Sequence, residues 1–252
     1  MRRYLIVAGC LVILLLGGCV AATPQSEGHR QQADVHYKLA VAHLQGDNPG
    51  AALRELLKAV ELDPKNSEIH VTLAQAYQQR RAYAEAEKHY LKALELSEND
   101  PSYQNNIATL YLDMQQWDRA IHYFDLAARN LLFESTHIAL TGKGYAYLQK
   151  EEYNQALNVF RAVAAEYPNY APAFYYQAEV YRVTGAERLE QVALQRTVDL
   201  APDVVQARHR LAVLHIKAKN FSAARTQLET IINFSPESDA GRDAAELLKT
   251  LP

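Results

Sequence analysis

Nine histidines and two cysteines are the side chains here best suited to bind a metal or attack a substrate, and their spacing limits what they can do. No His-Glu-x-x-His run, paired-histidine motif or nucleophile elbow occurs, so metal-assisted hydrolysis and acyl transfer lack their usual sequence frames. His36 and His43 stand seven apart on one predicted helix, at positions better suited to packing than to a ligand set. The stretch Thr141-Gly142-Lys143-Gly144 lacks the spacing of a phosphate-binding loop, and Gly144 is read as a small packing residue. The residues therefore predict no catalytic site, no metal, no cofactor and no small-molecule substrate. A formal charge of −3 and the lack of clustered lysine and arginine point away from nucleic acid.

The chemistry that remains is that of a thiol near the N-terminus. Arg2 and Arg3 precede an uncharged run from Tyr4 to Leu16, after which small residues begin at Gly17. The run is shorter than the roughly 20 apolar residues a membrane span needs, and the order basic, apolar, small is that of a secretory signal. Leu16-Gly17-Gly18-Cys19 resembles the lipobox of bacterial lipoproteins. That resemblance implies cleavage before Cys19 and lipidation of its thiol and its new amino group. Small residues let an extended backbone enter a peptidase, and a thiol can form the thioether. Cys10 would leave with the signal, and the formal charge would fall to −5. Several acyl chains would hold the protein firmly, since each buried methylene contributes about 0.8 kcal/mol. Val20 in place of aspartate agrees with sorting to the outer membrane.

What must position any binding surface is a repeat. At a spacing of 34, Ala40, Ala74 and Ala108 coincide, as do Ala52, Ala86 and Ala120, then Ala59, Ala93 and Ala127. Bulky columns keep the same register: Tyr77 with Tyr111, Tyr83 with Trp117, and Leu56 with Tyr90 and Phe124. Between Ala120 and Ala156 the spacing is 36, which places two extra residues near Leu131 to Thr136. Beyond them Gly144, Ala178 and Ala212 return to 34, as do Pro168, Pro202 and Pro236. The pattern resembles the tetratricopeptide repeat in period and in its small, aromatic and proline landmarks.

That resemblance implies an all-α solenoid, a right-handed superhelix of about six helix-turn-helix units closed by a capping helix. The expected organisation is a signal (1–18), a lipidated cysteine with a flexible linker (19–32), repeats over 33–238 and a cap (239–252). The repeats divide as 33–66, 67–100, 101–134, 137–170, 171–204 and 205–238. Alanine or glycine lets two helix backbones approach, and the aromatic of the next turn fills the gap. On this reading Tyr77, Tyr83, Tyr111, Trp117, Tyr147, Tyr153 and Tyr181 belong to the core. Asp100-Pro101 reads as an N-cap followed by a first-turn proline. Repeat five departs most from the pattern, with Glu190 and Thr197 in alanine columns. Its second helix is expected to tilt or rotate so that Glu190 stays in water.

In the tetratricopeptide fold the first helix of each unit lines the concave surface. The places that do so in relatives correspond here to Tyr37, Val41, Gln75, Gln78, Asn105, Thr109, Tyr145, Tyr175, Glu179, Arg182 and His209. Amides and tyrosines suit an extended peptide, which offers donors and acceptors along its length. A lysine and arginine clamp for a terminal carboxylate is not evident.

Asn105-Asn106 at the start of a repeat and the lengthened connection near Phe133 resemble the outer-membrane pilotin lipoproteins of type IV pili. That family carries asparagine just before the glycine corresponding to Gly144, where this chain has Lys143. The resemblance implies a non-enzymatic scaffold, anchored through Cys19 to the periplasmic face of the bacterial outer membrane, that helps secretin subunits reach that membrane and multimerise. A linker from Val20 to Gln32 would give a reach of about 20 Å. A second reading keeps the fold and changes the partner: a periplasmic lipoprotein adaptor that recruits or regulates cell-wall enzymes.

Overall fold

The computed structural model describes residues 24–252. The expected signal, Cys10, Cys19 and linker residues 20–23 lie outside the described residues.

Thirteen helices follow one another among the described residues: α1 (Pro24–Gln45), α2 (Pro49–Leu62), α3 (Ser67–Gln79), α4 (Tyr83–Leu96), α5 (Pro101–Asp113), α6 (Trp117–Arg129), α7 (Thr136–Gln149), α8 (Tyr153–Glu166), α9 (Ala171–Val183), α10 (Glu187–Leu200), α11 (Val205–Lys217), α12 (Phe221–Phe234) and α13 (Asp239–Lys249). Each odd helix from α1 to α11 forms a hairpin with the even helix after it, and each hairpin packs on the next. The result is the all-α tetratricopeptide solenoid that the period predicts. α13 covers the open apolar face of the last hairpin, with Ala244 buried against Ala212, Leu228 and Ile231.

Local chemistry sets the helix starts. Asn48 caps α2 by accepting from the Ala51 amide at 3.1 Å, ahead of Pro49 in the first turn. Asp100 accepts from the Ser102 amide at 2.7 Å, with Pro101 opening α5. The turn inside each hairpin repeats as well. Asp47, Arg81, Gln115, Glu151, Gly185 and Lys219 all have positive φ, and the residue after each donates its amide back across the helix end, as Ala82 does to the Tyr77 carbonyl at 2.9 Å. This is the Schellman closure of a helix C-terminus.

The alanine columns are the places where helices touch. Ala40, Ala74, Ala108, Ala52, Ala86, Ala120, Ala59, Ala93 and Ala127 are all fully buried. Gly144 belongs with them, because a Cβ there would stand 2.6 Å from Cε1 of Phe160. Tyr111 and Tyr181 are buried, Tyr77 and Tyr83 pack half-buried on the core around Tyr90, and Tyr147 and Tyr153 do so around Phe160. Trp117 is half-buried.

Two expectations need correcting. Residues 24–32, expected to be flexible linker, form the first turns of α1. Pro24 suits a first-turn position, Glu27 complements the positive helix end, and glutamine and arginine are good helix formers. The second concerns Glu190, which is 1% exposed and does not stay in water. Arg210 of α11 reaches across the repeat boundary, with Nε 2.5 Å from Oε1 and Nη2 3.2 Å from Oε2. A bidentate guanidinium satisfies the carboxylate where it stands. Rotating α10 outward would instead have exposed Ala193, Leu194 and Val198, which are buried on that helix.

The insertion takes the form of a connection, 130–135, of six residues between α6 and α7; the other links between hairpins have four. Phe133 turns inward onto the core, while Leu131 and Leu132 are 100% and 88% exposed.

Candidate functional site

The first helices of the second to fifth hairpins, α3, α5, α7 and α9, carry a chain of three depressions. The first, about 350 Å³, is lined by Gln75, Gln78, Gln79, Tyr90, Asn106, Thr109 and Asp113. Within it the Tyr90 hydroxyl donates to Gln78 Oε1 at 2.9 Å, and Gln78 Nε2 donates to Asp113 Oδ2 at 2.6 Å. This relay fixes the amide and ties α3 to the end of α5. Burial pushes the Tyr90 phenol far up, so its hydroxyl remains a donor at every physiological pH.

The second depression, about 390 Å³, shares Thr109 with the first and adds Asn105, Tyr145, Tyr170, Pro172 and Tyr176 over a floor of Phe124 and Gly142. A Cβ on Gly142 would overlap the Phe124 ring, so the missing side chain lets the ring rise beneath the groove. Asn105 Oδ1 is buried with no hydrogen-bond partner, an acceptor that a bound amide could satisfy.

The third, about 490 Å³, shares Tyr145 and Tyr176 with the second and continues to Tyr153, Tyr175, Glu179, Arg182 and Glu151. Tyr176 is held by rings on three sides: Phe160 stacked at 5.4 Å, with Tyr145 at 5.6 Å and Tyr175 at 5.5 Å edge-on. Burial pushes the phenols of Tyr175 and Tyr176 up. Arg182, the one cation among the described residues that lines these depressions, is engaged by Glu179 at 2.8 Å. Asp113, Glu151 and Glu179 leave the groove net acidic, which disfavours a carboxylate and favours a neutral or basic segment.

Gln75, Gln78, Asn105, Thr109, Tyr145, Tyr175, Glu179 and Arg182 thus lie along one continuous path. Tyr37 does not join them; it is half-buried against the core of the first hairpin. Val41 and His209, on α1 and α11, stand beyond the two ends. Sequence reasoning missed Asn106, Asp113, Tyr170, Pro172 and Tyr176. Asp113 stands four residues after Thr109, on the same helix face, a spacing that could have found it. Tyr170 comes from the connection before α9, at the helix-cap place that Asn66 and Asp100 hold in other repeats, where a capping side chain and not a groove ring is expected.

Among the described residues no group of three or more histidine, cysteine, aspartate or glutamate side chains is placed to hold a metal ion. His36 and His43 do not converge: the His36 ring meets Glu55 at 2.6 Å. Lys143, within the glycine-bearing stretch, meets Asp125 of α6 at 2.5 Å. No described helix is long and apolar enough to cross a membrane.

Stacked hairpins with small residues at their contacts and a continuous groove on their first helices define a helical-repeat scaffold that offers an extended surface. A family profile described as tetratricopeptide repeat matches residues 37–101, 105–171 and 141–187, and the chain belongs to that family. Among solved structures, PilW, described as a widely conserved type IV pilus biogenesis factor, superposes with a TM-score of 0.72 at 18% identity, covering 85% of this chain and 99% of PilW. PilF of Pseudomonas aeruginosa superposes at 0.69 and 18% identity, covering 87% of this chain and 99% of that one. YrrB, described as a tetratricopeptide protein with an unusual peptide-binding site, superposes at 0.56 and 23% identity, covering 75% and 98%. A search of curated proteins by sequence found no match.

Proposed function

We propose that this protein is a lipid-anchored scaffold that binds a secretin subunit and assists its outer-membrane localisation and multimerisation in type IV pilus biogenesis. The observation that carries the reading is the extent of the likeness to PilW: 99% of that pilus biogenesis factor is covered by the superposition, at a TM-score of 0.72. The lengthened connection at 130–135 and the Asn105-Asn106 pair, read from the sequence, add to it. The groove supplies the binding step, since its amides, tyrosines and unpartnered Asn105 oxygen suit an extended polypeptide. The Leu16-Gly17-Gly18-Cys19 sequence supplies the anchor. Tethering raises the concentration of a bound subunit at the bilayer without any new contact.

The test is deletion of the gene, or Cys19→Ala, followed by assays for heat-stable secretin multimers and surface pili. Loss of both is expected. Normal levels of both would refute the reading, and crosslinking from Asn105 or Tyr145 to a cell-wall hydrolase would replace it with the adaptor function.

A further inference from the structure

The connection from Asn130 to Ser135 differs from its five counterparts in chemistry as well as length. Those read Asp-Pro-Lys-Asn (63–66), Ser-Glu-Asn-Asp (97–100), Tyr-Pro-Asn-Tyr (167–170), Ala-Pro-Asp-Val (201–204) and Ser-Pro-Glu-Ser (235–238). Here two leucines stand at the tip, 100% and 88% exposed, the most exposed large apolar side chains among the described residues. They do not collapse onto the surface, because the segment beneath them is pinned. Asn130 Oδ1 accepts from the Leu132 amide at 2.9 Å, the Thr136 hydroxyl donates to the Phe133 carbonyl at 2.7 Å, and Phe133 packs inward on the core.

We propose that Leu131 and Leu132 insert into the hydrocarbon of the bilayer that holds the anchor, giving the solenoid a second, fixed contact with the membrane. The proposal rests on lipidation at Cys19. All links between hairpins lie at the edge where the first helices begin, and α1 begins at Pro24 on that same side. α1 runs nine residues, roughly 14 Å, past the level at which the other first helices begin, and Cys19 to Pro24 spans at most about 17 Å, so the chain is long enough to return the lipid to this edge. Leu131 stands fully exposed and Leu132 lies at the lip of a shallow depression with Pro101 and Phe133, and side chains this exposed fit a fluid surface that closes around them. Arg129, Asp100 and Glu134 flank the tip and provide no net positive charge, so the contact is apolar and is not weakened by salt. Burial of two leucine side chains shifts the inserted population on the order of a hundredfold or more, enough for a chain already tethered.

The test uses the full-length lipid-modified chain with Trp117→Tyr and Leu132→Trp, which leaves position 132 as the single tryptophan. It is reconstituted in phosphatidylethanolamine and phosphatidylglycerol vesicles with or without brominated acyl chains. Gln149→Trp, exposed at the opposite end of α7, replaces Leu132→Trp in the control. The expected result is blue-shifted emission at position 132 that loses roughly half its intensity to brominated lipid and is not weakened by salt, with the control unaffected. A lipidated, vesicle-bound chain whose position 132 stays in water overturns this inference alone. Emission that shifts only when secretin subunits are added, without quenching by lipid, overturns it in favour of a protein contact. If mass spectrometry of the N-terminal peptide finds no lipid on Cys19, the anchor reading and this inference fall together.

Discussion

Replacing Arg210 with methionine should unfasten the boundary between the fifth and sixth repeats. The variant keeps most of the side-chain volume but leaves Glu190, 1% exposed, without its bidentate partner. Removing one member of a fully buried pair costs about 3–5 kcal/mol. Arg210 is itself 36% exposed, so water can reach the vacated position and lowers the expected cost to about 2–3 kcal/mol. Glu190→Ala restores the residue that fills this column as Ala52, Ala86, Ala120, Ala156 and Ala224, each fully buried. It removes the buried charge and lets Arg210 turn to solvent, so it should lie within about 1 kcal/mol of the parent. The double variant should recover most of what Arg210→Met loses. Stability in a solenoid is approximately a sum of repeat and neighbour terms, so the damage should be local. Urea unfolding followed by far-ultraviolet circular dichroism reports all helices, whereas Trp117, the single tryptophan, reports the third repeat. In Arg210→Met the circular-dichroism transition should acquire an early phase that Trp117 fluorescence lacks. A single variant within about 0.5 kcal/mol of the parent, or a double variant no more stable than Arg210→Met, would refute the reasoning.

Packing around Gly144 and around His89 sets two further expected outcomes. Gly144→Ala forces Phe160 out of its place and should lower stability by about 1–3 kcal/mol, read as a reduced urea midpoint, while Gly28→Ala, with open space around it, should leave that midpoint unchanged or raised. The His89 ring, 2.9 Å from His70 and stacked with Tyr77, is pushed down to about 4 by burial, aided by His70 and Lys88. The unfolded chain takes up this proton near pH 6.5 and the folded chain resists it, so this stability is complete above about pH 6.5 and lost as pH falls towards 4. Discounted for a half-exposed ring, the loss is about 1–2 kcal/mol, and it should shrink in His89→Phe when melting temperature is followed from about pH 7 to about 4.5.

The repeat and its phase were legible in the sequence because backbone contact between helices tolerates only small residues, and that requirement recurs with every hairpin. The two-residue insertion and the Asp100-Pro101 helix start were legible for similar reasons, as a break in spacing and as a local hydrogen bond. The groove was partly legible: positions such as Gln75, Thr109 and Tyr145 keep a fixed angle on the first helix of their units. Tyr37 shares that angle but belongs to the first hairpin's core, and Tyr170 enters the groove from a helix-cap place, where a capping side chain is expected.

That hairpins form, where each begins and which faces must touch is written in the amino-acid sequence, since those follow from helix periodicity, capping and side-chain size within short stretches. The burial of Glu190 came from packing between repeats, because its partner Arg210 lies twenty residues away on a different repeat. The tertiary structure also decided that three depressions would join into one groove and that Leu131 and Leu132 would stand clear of the surface. These outcomes depend on how neighbouring repeats are oriented in space, which is set by the sum of many packing contacts and by no single motif.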